Sequence, residues 1–402
     1  MILDLHSHYP MHLAPEARGS VPRLISSVHG RWRLVDSVRS AVVRFASRIA
    51  NYESFHSGPR VTVPLLRSGG VGVCLSVLYS PFDEFDLTLR YPGAPQDGYF
   101  GSIVRQLEDV ERELAADHAG LARVARSPAQ MDAALEAGEV AVVHCIEGGF
   151  AIGSTPEAID RNVAELARRG VAYITIAHLV YRQIATNTNA IPFLADWIYD
   201  LLFPQPKQGL SELGRAAIRA CVEHRVLIDL SHMNDPALDE TFALLDELDP
   251  GREVPVLASH VGHRFGRQDY NLTAATIERI AARDGVVGLI LAEHQAADGL
   301  RRTHTRDLEQ SLDLLLRHIS QIREITGSHR HAAFGTDLDG FIKPTLAELE
   351  DAGRLALLER GLRERLGDAD AEAILSGNGL RLLREYWRGA SSEAPGTRGS
   401  DA

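Results

Sequence analysis

Seventeen histidines in a chain of 402 residues raise the question of where they fall. His6 and His8, Glu147, His178, His232, His260 and Asp337 each stand at the end of a short apolar run. Imidazole and carboxylate groups without cysteine suit zinc, and also iron, manganese or cobalt. His6-Ser7-His8 is an alternating pair leaving an extended run, so both rings point to one face. A glutamate between two imidazole sets can bridge two ions. Ions about 3.5–4 Å apart can then share a water, lower its pKa towards neutrality and clamp a developing oxyanion. Each residue also has a plainer reading. Lone histidines are usually surface or core groups, which is how His29, His56, His118, His224, His318 and His329 are read. Asp229-Leu230-Ser231-His232 reads equally as a strand end with a helix cap, and Gly335–Gly340 as an ordinary turn. Repetition of the pattern at six run ends makes a metal site of the set.

The elements that must position these groups are eight short, β-branched runs. They are Ile2–Leu5, Val71–Tyr79, Val140–Ile146, Val171–Ile176, Val226–Leu230, Pro255–Ser259, Val286–Leu291 and Ala332–Gly335. All are nearly continuous rather than alternating, as parallel strands covered on both faces are. Helices begin between them. Ser127-Pro128, Thr155-Pro156 and Asp235-Pro236 each set a capping side chain before a proline. Ser211–His224 and Thr273–Arg283 are amphipathic, and a long helix is expected over Arg306–Ile325, ending at Gly327. Strands alternating with helices in this way predict an α/β fold, a (β/α)8 TIM-type barrel with helical insertions at about 11–67 and 80–130. Such barrels carry their chemistry at the C-terminal strand ends, where these residues lie. One barrel domain over 1–388 is expected, followed by a disordered 389–402 tail rich in Ser, Gly, Ala and Pro. A doubly wound sheet is the alternative fold, but no glycine-rich phosphate loop follows any strand.

The charge sum, 42 − 54 = −12, disfavours nucleic acid and anionic membrane surfaces as partners. The longest nearly apolar run, Val71–Tyr79, is far short of the ~20 residues a membrane helix needs. Met1-Ile2-Leu3-Asp4 opens without a basic or apolar leader, so a cytoplasmic location is expected. Cys74, Cys145 and Cys221 are widely spaced and predict no disulfide framework.

The residues resemble the metal-dependent membrane (renal-type) dipeptidases of the amidohydrolase superfamily. The matching stretches are Asp4–His8, Cys145–Gly149, Thr175–His178, Gly209–Arg215 and Val226–His232. They continue with Pro255–His260, Asn271–Thr273, Gly335–Gly340 and Gly377–Arg381. The resemblance implies that His6 and His8 hold one zinc, that His232 and His260 hold the other, and that Glu147 bridges them. His178 would steady the tetrahedral oxyanion. Asp337 would hydrogen-bond a metal-bridging hydroxide and pass its proton to the leaving amine. The implied enzyme is a binuclear hydrolase that cleaves the amide bond of dipeptides or dipeptide-like small molecules, and homodimerisation follows by analogy.

Two positions depart from the family. His8 stands where the family has aspartate, making the site one charge more positive. Tyr270 stands where the family has an arginine that grips the substrate carboxylate, so no residue is assigned to substrate binding. Arg264 and Arg267 lie nearby and are either substitutes or plain surface charges. Two other functions remain open. One is a phosphoesterase or other hydrolase, because Asp4-Leu5-His6-Ser7-His8 also resembles the polymerase-and-histidinol-phosphatase group. The other is a relative that binds metal but has lost dipeptide cleavage.

Overall fold

The computed structural model of the chain describes residues 1–13, 58–86, 89–191, 194–298, 300, 304–340 and 344–389. Most of the expected 11–67 insertion, with His29 and His56, and all but the first residue of the 389–402 tail lie outside the described residues.

The eight expected strands all form. They are β1 (Ile2–Ser7), β2 (Val71–Leu78), β4 (Val140–Glu147), β5 (Tyr173–Thr175), β6 (Leu227–Asp229), β7 (Val256–Val261), β8 (Val286–Leu289) and β9 (Ala332–Phe334). A further short strand, β3 (Ala122–Val124), was not expected. The sheet order is β2-β1-β9-β8-β7-β6-β5-β4-β3, and an added β2–β4 pairing closes eight strands into a barrel. Every strand pair is parallel, from Asp4 opposite Phe334 to Val73 opposite Ala141. This is a (β/α)8 TIM-type barrel, with β3 lying beside the first half of β4. Continuous apolar strands suit it, because both faces are covered: every residue of β4 to β9 is buried. Among the described residues no helix is long and apolar enough to cross a membrane.

Capping follows the expected chemistry with one exception. Ser127, Thr155, Ser211 and Thr273 accept from backbone N–H groups three residues on. The long helix covers Leu308–Thr326, capped by Asp307 and ended by left-handed Gly327. Asp235 was the expected cap of the helix before β7, but Asn234 performs that role, accepting from Ala237 N at 3.1 Å. The Asp235 carboxylate is engaged instead by both terminal nitrogens of Arg264, at 2.8 and 2.9 Å. The expected 80–130 insertion contains a 21-residue helix, Asp97–Asp117, with Ile103, Leu107, Val110 and Leu114 buried.

Close approach of strands demands glycine at Gly335, immediately after β9. A Cβ there would lie 1.8 Å from the Ser259 carbonyl oxygen and 3.2 Å from His6 Cβ. Its absence lets β1, β7 and β9 converge beneath the barrel mouth.

Candidate metal centre

Strand alternation turns His6 and His8 into the barrel mouth, with ring centroids 5.4 Å apart. Chain exits are tied together there: His8 N donates to Leu338 O at 2.9 Å, and Asp337 N to His6 O at 2.8 Å. Glu147 ends β4, His260 lies inside β7 rather than after it, and His178 and His232 each follow their strand by three residues. His232 and Asp337 both adopt left-handed backbone, with φ of +68° and +56°. Non-glycine residues hold that region only where surrounding contacts impose it. Thr188 N donates to His232 O at 2.8 Å, which is one such contact.

All seven sequence-predicted side chains meet at this end of the barrel, none more than 7% exposed. Glu147 is their centre. Its Oε1 faces Nε2 of His6 at 3.2 Å and Nε2 of His232 and His260 at 3.5 Å each. Its Oε2 faces Nε2 of His8 and of His178, both at 3.3 Å. Asp337 Oδ1 closes the rim, 3.2 Å from His8 Nε2 and 3.7 Å from His6 Nε2. Ligand atoms fall into three overlapping sets, each within 4.8 Å: His6, His8 and Asp337; His6, Glu147 and His260; and Glu147, His178 and His232.

The electrostatics follow from two buried carboxylates, Glu147 at the centre and Asp337 at the rim, among five rings. Burial would raise the Glu147 pKa, but the facing imidazoles, His178 and His6 foremost, hold it well below the usual carboxylate range. Burial would lower His8, but Asp337 and Glu147 outweigh it and lift the ring to about 10. Burial depresses His260 well below its ordinary value, reinforced by His6 and His232. Burial also depresses His232, with His178 adding to the effect.

Sequence reasoning left the end of β2 without a role, and the structure fills it. Tyr79, the next residue, and Glu84, in the helix Pro81–Glu84, support His178. Glu84 Oε2 lies 2.7 Å from His178 Nδ1 and accepts from Tyr79 Oη–H, also at 2.7 Å. Its Oε1 accepts from Val180 N at 2.9 Å. Burial would depress the His178 pKa, but Glu147 and Glu84 raise it. The Tyr79 ring packs edge-on against His178, with centroids 4.5 Å apart. The available signal was position alone, a carboxylate shortly after a strand end in a segment read as an insertion.

Tyr270 is buried and donates to His260 O at 2.8 Å, its ring 5.1 Å from that of His232. It therefore buttresses the histidine side of the centre. Arg264 is fully engaged by Asp235, by Asp269 at 3.4 Å and by Asn271 O at 2.8 Å, and Arg267 is exposed.

The residues fit divalent metal. His6 Nε2 and Glu147 Oε2 are buried and find no hydrogen-bond partner among the described residues. A buried polar atom without a partner is costly, and coordination would satisfy both. His232 Nε2 and His260 Nε2 lie only 2.9 Å apart, aimed at the same region.

The family model of membrane dipeptidase (peptidase family M19) matches residues 23–393. An uncharacterized Klebsiella pneumoniae protein from the pqqA 5′ region is 28% identical over 301 residues, covering 74% of this chain and 99% of the relative. A solved metallopeptidase from Rhodobacter sphaeroides, liganded with a phosphinate mimic of L-Ala-D-Ala, superposes with a TM-score of 0.69. It shares 18% identity and covers 96% of this chain and 99% of its own. The dipeptidase AC structure, a family M19 metallopeptidase, gives a TM-score of 0.66 at 20% identity, covering 87% and 96%. At these identities the two structures speak for the shared fold.

Proposed function

This chain belongs to the membrane dipeptidase family (peptidase family M19), and we propose from that premise that it hydrolyses the amide bond of dipeptides or dipeptide-like small molecules at a two-ion centre. That it is a metal-dependent, dipeptidase-like hydrolase follows from the family. The observation that carries the finer reading is Glu147, buried with both oxygens faced by imidazole nitrogens at 3.2–3.5 Å. His6, His8, Glu147, His232 and His260 would hold the ions, zinc foremost. When bound, two such ions supply Lewis acidity to a carbonyl oxygen and lower the pKa of a water towards neutrality.

The chain's own residues supply the rest. Glu147 brings one negative charge to the middle of the ring set. His178, braced at Nδ1 by Glu84, presents Nε2 to the centre and steadies negative charge on the reacting carbonyl oxygen. Asp337, at the rim beside His8, takes a proton from the attacking water and delivers it to the leaving amine. Arg264 is held by Asp235 and Asp269, and a phenol stands at Tyr270, so neither offers a free cation to a substrate carboxylate. Amide-capped or lactam-like dipeptides belong in the substrate range on that account.

Metal analysis of the purified protein combined with a panel of L,L-, L,D- and C-terminally amidated dipeptides tests the reading. About two ions per chain and dipeptide cleavage abolished by a chelator are expected. A protein that stays metal-free after zinc addition, or releases phosphate from aryl esters while leaving every dipeptide intact, would reverse it.

A further inference from the structure

Ser259, in β7 directly before His260, is fully buried, and its hydroxyl lies among a carboxylate, two imidazoles and, at 3.4 Å, the Ser231 hydroxyl, whose own hydrogen goes to Asp229. Ser259 Oγ is 2.6 Å from Asp229 Oδ2, 2.7 Å from His260 Nδ1 and 3.0 Å from His6 Nδ1. A hydroxyl has one hydrogen and two lone pairs, so only one of these neighbours can receive its proton.

Asp229, the last residue of β6, decides which. Its Oδ1 accepts from Ser231 N at 3.1 Å, Ser231 Oγ at 2.8 Å and Ser259 N at 2.8 Å. Its Oδ2 accepts from Thr175 Oγ1 and Ser259 Oγ, both at 2.6 Å. A carboxylate surrounded by donors on both oxygens has no room for a proton of its own, so the Ser259 hydrogen goes to Asp229. Both lone pairs of Ser259 then face imidazole Nδ1 atoms, which must be N–H donors. His6 has a second constraint of the same sign. Tyr173 Oη–H donates to Leu5 O at 2.9 Å, leaving its oxygen to accept from His6 Nδ1 at 2.8 Å.

With Nδ1 protonated, a neutral ring carries its lone pair on Nε2. Those Nε2 atoms lie 3.2 Å (His6) and 3.5 Å (His260) from Glu147 Oε1. We infer that Ser259, backed by Asp229, is a positioning residue that fixes the tautomers of His6 and His260 together, aiming one ligand lone pair from each into the metal centre. The two rings were expected on different ions, so a single hydroxyl presets a ligand of each. The inference rests on the metal-centre reading above and deepens it.

The test uses the whole protein, first stripped of metal and with histidine nitrogens labelled, then titrated with zinc against a chromophoric chelator. Nitrogen NMR should find His6 and His260 as Nδ1–H tautomers in the wild type and a tautomer mixture in Ser259→Ala. That variant should lose about 10- to 100-fold in affinity for both ions, the usual effect of removing a group behind metal-bound histidine. Tyr173→Phe, which removes a hydrogen-bond partner from His6 Nδ1 and none from His260 Nδ1, should weaken one ion only. Wild-type affinity in Ser259→Ala, loss of a single ion there, or Nε2–H at either ring in the wild type would overturn the inference. The wild-type tautomers decide the matter even if Ser259→Ala does not fold. Absence of dipeptide cleavage would sink the proposed function while leaving the tautomer result standing.

Discussion

Replacing Glu84 by glutamine probes whether His178 acts through a fixed orientation. The change keeps size and shape but exchanges one oxygen for a donor. In the native site Glu84 serves three groups, His178 Nδ1 and Tyr79 Oη at 2.7 Å and Val180 N at 2.9 Å. If the amide oxygen faces His178 and Tyr79, its NH2 opposes the Val180 N–H. If the amide is turned over, NH2 faces His178 Nδ1, which must then accept, so the ring is held neutral with its hydrogen on Nε2, and Tyr79 Oη–H loses its acceptor. Either way one buried donor is left without an acceptor, at about 1–3 kcal/mol. A loss of about 1.4–2.7 kcal/mol in the transition state corresponds to roughly 10- to 100-fold in turnover. Steady-state kinetics on a neutral dipeptide should therefore show kcat reduced by that factor in Glu84→Gln, with KM within about twofold and metal content unchanged. Full turnover in the variant would refute the role of the Glu84–His178 pair. An equal loss of bound metal would show that Glu84 supports the ligands instead.

Asp337→Asn should cut turnover by about 10²- to 10⁴-fold without loss of metal, because asparagine tolerates the left-handed backbone at φ +56° but cannot carry a proton; near-native turnover would remove Asp337 as the proton carrier. His318 is buried, accepts from His263 N at Nδ1 and donates from Nε2 to Ala296 O, and burial depresses its pKa to about 4. Its unfolded value is near 6.5, so the unfolded chain binds the extra proton first and stability falls as pH drops from 6.5 towards 4. By pH 5 this ring alone should cost about 2 kcal/mol, a loss that urea unfolding should find missing in His318→Gln. Gly335→Ala places a methyl 1.8 Å from the Ser259 carbonyl oxygen and should destabilise by at least about 1–3 kcal/mol in the same assay. An unchanged midpoint there would mean that β7 and β9 can separate freely.

Strand and helix positions were legible because they are written in local patterns. Continuous apolar runs identified all eight barrel strands, and Ser or Thr before the helical periodicity identified most caps. Alternation alone put His6 and His8 on one face. The short strand Ala122–Val124 carried no such pattern: three residues, one of them exposed, are held by pairing to β4. Asp235 looked like a cap because it precedes a proline, yet a guanidinium 29 residues away claims its carboxylate. The same pairing removes Arg264 from the set of groups free to grip substrate.

What the sequence by itself determined is the inventory: a parallel α/β barrel, and seven imidazole and carboxylate side chains delivered to the C-terminal ends of its strands. Which atoms face one another was decided only by closure of the barrel. Glu147 gathers imidazoles from four other strand exits, and Ser259 lies against a ring 253 residues earlier in the chain. Glu84, Ser259 and Asp229 act on neighbours that local periodicity does not encode. Periodicity records which way a side chain leaves its own strand, whereas hydrogen-bond partnership and tautomer depend on distances between strands that exist only once the chain has folded.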